Sequence, residues 1–423
     1  MKIAIVGSGI AGNVAAYHLH REHDITVFEA ASHVGGHTHT HEIEHEGQAV
    51  AVDTGFIVCN DRTYPNFLAL MAELGVELQP SDMSFSVQTP GGLEYNGTNL
   101  NSLFAQRRNL LRPSFYRMIR DILRFNREAP RLLETTDDRM TLGAYLDAQG
   151  YSRQFAEHYI LPMGAAIWSA GTATLRGFPA RYFVRFFHNH GMLSVDDRPM
   201  WRTVRGGSAR YVDKITASYR QRIRLRTPVE SVRRTPAGVF VKPAGGEAER
   251  FDRVFFACHS DQALRLLVDA NATERAVLGP MRYQRNHVLL HTDTRVLPKR
   301  RLAWAAWNYH LVDRAAERVA VTYHMNILQR LPGRTPLLVT LNLAERVAES
   351  SVIRELQYEH PVFTPEAVAA QARHAEIDGA DRAYFCGAYW GFGFHEDGVV
   401  SALAALEHFR HVEHAQRAVH RSA

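Results

Sequence analysis

The sequence predicts an α/β fold built around a dinucleotide-binding unit, and three observations near the N-terminus predict it. Residues 2–6, Lys-Ile-Ala-Ile-Val, form a β-branched run with no turn residue inside it, as a buried parallel strand requires. Gly7, Gly9 and Gly12 follow at once in Gly-x-Gly-x-x-Gly spacing and lead into apolar residues at helical spacing over 13–19. Residues 25–28, Ile-Thr-Val-Phe, make a second strand, which Glu29 closes 17 residues after Gly12. Strand, glycine turn, helix, strand and acid come in the order a dinucleotide fold needs. Gly7 permits the tight turn, Gly9 lets a pyrophosphate meet bare backbone, and Gly12 lets the helix pack on the strand. The helix N-terminus then faces the phosphates, and Glu29 can accept hydrogen bonds from a ribose diol.

At 423 residues the chain is long enough for two or three domains with large cores. A net charge of +5 and a pI near 9.1 give a mild basic bias, but no long basic run or nucleic-acid-reading module accompanies it, so no nucleic-acid partner is expected. Cys59, Cys258 and Cys386 have neither metal nor disulfide spacing; Cys258 and Cys386, in apolar strand-like runs, read as buried thiols, and a reducing cytoplasm fits. No run of 18 apolar residues is present, so no membrane-spanning helix is expected. His37, His39, His41 and His45 alternate along one stretch. Without companion cysteines or a His-Glu-x-x-His pattern they read as a solvated or hydrogen-bonded strand, and no metal is expected.

A second doublet, Gly35-Gly36, comes six residues after Glu29. An NAD-only domain has no need of it. With Glu29, Gly35 and Gly36 in place the chain resembles a large flavoprotein superfamily: the monoamine oxidases, protoporphyrinogen oxidases and phytoene desaturases. Within it the resemblance extends to bacterial FAD-binding proteins often encoded beside lipid-modifying methyltransferases. His37 stands where that superfamily usually has Arg. The segment from Asp53 through Thr54, Gly55 and Phe56 resembles the short Asp-x-Gly turn that approaches the flavin.

The middle of the chain changes character. A helix is expected over 64–74, stopped by Gly75, and a hairpin over 84–95 turning at Thr89-Pro-Gly-Gly92. Residues 103–133 read as helix broken by Pro113, with arginines at 107, 108, 112, 117, 120, 124, 127 and 131 interleaved with apolar residues. Such a basic amphipathic stretch is either a solvated cap face or a peripheral contact with an anionic membrane through 103–131. A helix is expected over 141–150. Residues 159–168 and 178–187 are strongly apolar, and form either the core of a helical cap or the wall of an apolar tunnel. Strands are expected at 287–291, 302–310, 319–323 and 337–341, as one antiparallel sheet.

The resemblance resumes at Arg205-Gly206-Gly207-Ser208 and at the strand-rich run to Ala257, which looks like the segment carrying the adenine end of FAD. It resumes again from the strand ending in Gly387 to a helix over 399–409. Ala388 replaces the acid often found after that strand. The resemblance thus implies a discontinuous Rossmann-like FAD-binding domain at 1–58, 203–275 and 376–423. Residues 59–202 and 276–375 make an α+β substrate domain, a helical cap plus an antiparallel sheet. It implies non-covalent FAD against Gly7, Gly9, Ile10, Ala11, Gly12, Glu29, Ala30, Gly35, Gly36, His37, Thr54 and Gly55. Main-chain groups of Val229 would meet the adenine, and Gly387, Asp397, Gly398 and Val399 would lie by the flavin ring.

Flavin carries the redox chemistry, so the protein must hold a C–H bond against it and exclude water. Three activities follow from the resemblance. The first is an oxidase or desaturase of an apolar, lipid or fatty-acyl substrate, which the aromatic cap and the arginine-rich stretch favour. The second is an amine oxidase, which usually has a Lys on the sheet where His287 or Val288 stands here. The third is a flavin-bound isomerase or lipid-binding protein without net redox. His287, His324, Asn326, Tyr389 and Trp390 are the polar or aromatic positions expected near the flavin.

Overall fold

The computed structural model describes residues 1–136, 139–194, 196–311 and 319–422, with 415–422 as backbone alone. Its centre is a five-stranded parallel sheet in the order Ile223–Arg224, Asp24–Phe28, Lys2–Val6, Arg253–Phe256, Ala383–Phe385. Alternation decides what each face touches. Ile3, Ile5, Ile25, Val27 and Phe255 point to one side, where helices Ile10–Leu19, Ala209–Thr216 and His395–Ser422 cover them. Ala4, Val6, Phe28, Val254 and Phe256 point to the other. There a three-stranded antiparallel sheet, Val229–Thr235, Gly238–Pro243 and Glu249–Phe251, packs with short helices. With both faces buried, the strands must be continuously apolar, and they are.

Residues around the expected 58/59 boundary share this core: Cys59, Tyr64, Phe67, Leu70 and Met71 are buried in the cluster that holds Ile3 and Ile5. Helix Pro65–Glu73 carries most of them, and strand Cys59–Asn60 pairs with Trp201–Val204.

The second unit is a seven-stranded sheet ordered Val352–Val362, Arg282–His291, Leu338–Leu341, Ala320–His324, Trp307–His310, Phe85–Gln88, Glu94–Asn96. It is antiparallel except where Trp307–His310 runs parallel to Phe85–Gln88, so the 84–95 hairpin joins this sheet. The strand expected from residue 302 begins only at Trp307. Before it, Trp304 Nε1 donates to the Pro298 carbonyl and the Asn308 amide brackets Ala305, and these local bonds hold a turn in place of a ladder.

The cap lies over this sheet. Pro113 starts helix Pro113–Glu128 rather than breaking it, because proline's missing N–H is no loss in a first turn. A π-turn at Ala156–Ile160 precedes helix Leu161–Trp168, where Pro162 cannot supply the usual N–H. Helix Ala180–Asn189 buries Phe183, Phe186 and Phe187 against Trp168 and Phe392. Among the described residues no helix is long and apolar enough to cross a membrane.

Candidate active site

A cavity of about 1540 Å³ opens at the carboxyl ends of the parallel strands and runs between the two sheets to the cap. Its first end is the glycine turn. Gly7 has φ +103°, and a Cβ there would stand 2.7 Å from the Ala257 carbonyl oxygen. A Cβ on Gly12 would stand 2.0 Å from the Gly7 oxygen, so strand and helix touch backbone to backbone. Gly9 is different: nothing lies within 4 Å of where its Cβ would be, and the space in front of it belongs to the cavity. Gly9 caps helix Ile10–Leu19, whose first turn holds no acid, so its free amides suit an anion. Gly36, at φ +59°, lies against Gly9, 3.1 Å from its Cα by the same measure.

Glu29 accepts from the Ser8 N–H (2.9 Å), the Ser8 hydroxyl (2.5 Å) and the Ala31 N–H (2.8 Å). Three bonds leave a carboxylate acceptor capacity for a diol. Gly55 is forced by contact, since a Cβ would meet the His37 carbonyl oxygen at 2.0 Å. Thr54 and Phe56 donate their N–H groups to the His39 and His37 carbonyls, and the Thr54 hydroxyl reaches Tyr358 of the second sheet at 2.7 Å. Beyond this strap the wall turns apolar, with Tyr95, Tyr159, Met163, Ile167, Trp168, Phe186 and Phe392.

Most residues that the resemblance implied meet here: Gly7, Gly9, Ile10, Ala11, Glu29, Ala30, Gly35, Gly36, His37, Thr54, Gly55 and Gly387 all line the cavity. Gly12 lies behind them. Val229 pairs with Pro243 in the outer antiparallel sheet and is absent from the wall. The last helix begins at His395, four residues before the expected start, which places Asp397, Gly398 and Val399 in its first turn, Asp397 half-buried and the other two buried. Asp397 accepts from the Phe394 N–H at 2.8 Å, and burial pushes its carboxyl up to about 6. Gly398 packs on Ile10 and Val399 in the core, so His395 is what this helix presents to the cavity.

His37 does not replace the superfamily's Arg as a cation. Its ring is shut in by Tyr358, His360 and His259, and burial followed by the nearby His259 draws its pKa down to about 4. His39 lies between His33 and His41 with centroids about 4 Å away on each side, yet no group of His, Cys, Asp or Glu among the described residues has metal-holding geometry.

Of the five positions expected near the flavin ring, only Tyr389 lines the cavity, and its hydroxyl has no partner among the described residues. His287 continues the face of Tyr283 and Arg285 but one step past the wall, where Nε2 meets Glu355 at 2.8 Å. His324 packs beside Trp304, and Asn326 closes the turn before Leu337 through its amide. Trp390 donates to the Phe385 carbonyl and stacks on His374 at 3.9 Å, facing away from the site. Sequence reasoning missed His395, which sits at the wall beside Thr38 and Tyr211. Its only signal is a polar residue in the turn before the last helix.

A cavity at the carboxyl edge of a parallel sheet, lined at one end by a glycine turn and closed by a second sheet and an aromatic cap, is where open α/β folds seat a cofactor and its substrate. The flavin-containing amine oxidoreductase model matches residues 10–287, and the chain belongs to that family. It is a flavin-dependent oxidoreductase. Cyclohexylamine oxidase from Brevibacterium oxydans IH-35A has the same fold (TM-score 0.71, 16% identity, covering 97% of this chain and 99% of that one). So do a protoporphyrinogen oxidase-like protein from Exiguobacterium sp. 255-15 (0.67, 17%, 96% and 98%) and the CLA-producing fatty acid isomerase from P. acnes (0.68, 16%, 96% and 98%). No curated protein sequence matches the chain.

Proposed function

We propose that the protein binds FAD without a covalent link and abstracts hydride from a C–H bond of an apolar, lipid or fatty-acyl substrate. The observation that carries this is the continuity of one cavity from Gly9 to the aromatic wall of Tyr159, Ile167, Trp168 and Phe186. The glycine turn and Glu29 would hold the dinucleotide, and the apolar end would take a chain and exclude water. Bound flavin supplies the acceptor for the hydride. Cys258, whose thiol burial pushes up to about 12, lies beside Gly7 at the nucleotide end, which supports a non-covalent link. An amine reading is weaker, because Trp390 is turned from the site and completes no aromatic cage with Tyr389. A fatty acid isomerase shares the fold, so turnover without net redox is the rival outcome for the same substrate class.

The test is anaerobic. Acid-released cofactor should chromatograph as FAD, and a panel of fatty acids, phospholipids and amines is then added without oxygen. Bleaching by a lipid supports the reading; bleaching by amines alone overturns the substrate class; a rearranged lipid with unbleached flavin makes the enzyme an isomerase.

The same reading includes delivery from an anionic membrane. Residues 103–131 hold eight arginines against Asp121 and Glu128, a net of +6 where the whole chain carries +5. Leu110, Leu111, Tyr116 and Leu123 are exposed among them, Leu111 at 87%. Gly97 and Thr98, at the edge of the cavity, lead directly into this face. Exposed apolar groups ringed by arginine match an anionic lipid surface.

A further inference from the structure

His395 has so far been assigned no work. It opens the last helix, is nine-tenths buried, and stacks flat on Phe56 with centroids 3.7 Å apart. Its Nε2 lies 2.6 Å from the Tyr211 hydroxyl and 3.1 Å from the Thr38 hydroxyl, and those two oxygens are 2.5 Å apart. Nδ1 has no partner among the described residues.

Proton counting fixes the tautomer. Neither hydroxyl has another acceptor among the described residues. With Nε2 bare, Thr38 donates to Tyr211 and Tyr211 donates to Nε2, so both hydroxyl protons are used. With a proton on Nε2, one hydroxyl would point its own at nothing, which is unfavourable in a buried site. The ring therefore carries its proton on Nδ1. Burial, with His37 adding to it, draws the ring's pKa down to about 3, so the group is a neutral donor near pH 7. Nε2 is sealed behind by Tyr211 and Thr38, which leaves the Nδ1 edge to the cavity.

We propose that His395 donates its Nδ1–H to the carbonyl edge of the flavin's pyrimidine ring, with Thr38 and Tyr211 as positioning residues that hold the tautomer. This rests on the FAD reading above. Two features select that acceptor. His395 lies against the Thr54–Phe56 strap, between the nucleotide end and the apolar end, where a dinucleotide's ring would emerge. It also stands at the positive end of the last helix, so the site offers a donor and a dipole to one oxygen-rich edge. The hydrocarbon tail of a lipid has no acceptor to place there. The bond strengthens as the ring gains negative charge on reduction, so His395 sets how readily the flavin is reduced.

The midpoint potential of the bound flavin tests this directly. His395→Phe keeps the stack on Phe56 and loses the donor. Reduced flavin should lose about tenfold in binding relative to oxidised flavin, as for one hydrogen bond to a charged acceptor. For a two-electron couple that is a fall of about 30 mV. His395→Asn, which restores an N–H near the Nδ1 position, should recover much of the fall. The double variant Thr38→Val with Tyr211→Phe frees the tautomer and should lower the potential by a smaller amount. A fully loaded His395→Phe protein with the wild-type potential overturns the proposal. Should that variant hold no flavin, an unchanged potential in the double variant overturns it instead. Wild-type protein that binds no flavin overturns the FAD reading itself.

Discussion

A glycine kept for its neighbour's sake and a glycine kept for a ligand's sake should behave oppositely when replaced. Gly9 has φ −66° and open space at its Cβ, so Gly9→Val should fold with nearly the wild-type melting temperature and yet retain no flavin, read by absorbance at 450 nm or so against protein content. Gly12→Ala places a methyl 2.0 Å from a backbone oxygen, and should lower the melting temperature sharply by overpacking costing about 1–3 kcal/mol or more. A colourless but stable Gly12→Ala protein would reverse this assignment. These positions were legible in the sequence because a local turn dictates them. His395 was not, because its partners Thr38 and Tyr211 lie 357 and 184 residues away, and no local pattern encodes that meeting. Trp390 misled for the converse reason: being next to Tyr389 in sequence did not turn it to the same side.

Between elements, one ion cluster stands out. Arg234 on strand Val229–Thr235 is buried and donates to Glu274 Oε2 at 2.9 Å and to Asp269 at 3.0 Å, pinning helix Ala272–Leu278 to the outer sheet. Glu274→Ala leaves the guanidinium half-paired in the interior and should cost about 3–5 kcal/mol in urea unfolding. The pair Arg234→Met with Glu274→Leu should cost distinctly less; equal losses would show that packing rather than charge is at stake. On the arginine-rich helix, Arg124 lies over the Tyr151 ring at 3.9 Å and belongs to the fold, whereas Arg117, Arg120 and Arg127 face outward. Changing those three to Ala should weaken salt-sensitive flotation with anionic vesicles by roughly 1 kcal/mol per arginine. Undiminished flotation, or none by the parent protein, removes the membrane from the proposal. Apart from the long edge strand Val352–Val362 of the second sheet, most strands and helices were marked by their periodicity. Their ends were not: side-chain bonds around Trp304 and Asn308 shortened one strand, and the last helix began at His395 because Asp397 reaches back to Phe394.

For the molecule as a whole, buried histidines set the acid limit of stability. Burial draws His310 and His395 down to about 3, and His190 and His291 down to about 4. Each is neutral when folded and charges near pH 6.5 when unfolded. The unfolded chain therefore binds more protons below pH 6.5. The stability they contribute is complete above that pH and is lost as pH falls toward 4, by about 1.4 kcal/mol per unit for each group. The urea midpoint should fall steeply from pH 7 to pH 5, before most carboxylates titrate; a flat midpoint over that range would refute the burial of these rings. Family and cofactor class were legible at this scale because the glycine set recurs along the chain. The burial of particular histidines was not, since twenty-three of them share one composition and only packing tells them apart.

The parallel sheet also imposes a timetable. Lys2–Val6 gains one neighbour, Asp24–Phe28, within moments of synthesis, but its other edge stays bare until Arg253–Phe256 is made, some 225 residues later. At 5–20 residues per second that is on the order of ten seconds or more, with an apolar strand exposed along one side. Ala383–Phe385 is later still, and the His395 helix that covers the sheet comes last. A nascent chain stopped after residue 378 should therefore be held by chaperones or aggregate rather than collect flavin, and emergence of residues 379–423 should be the event that lets the sheet close.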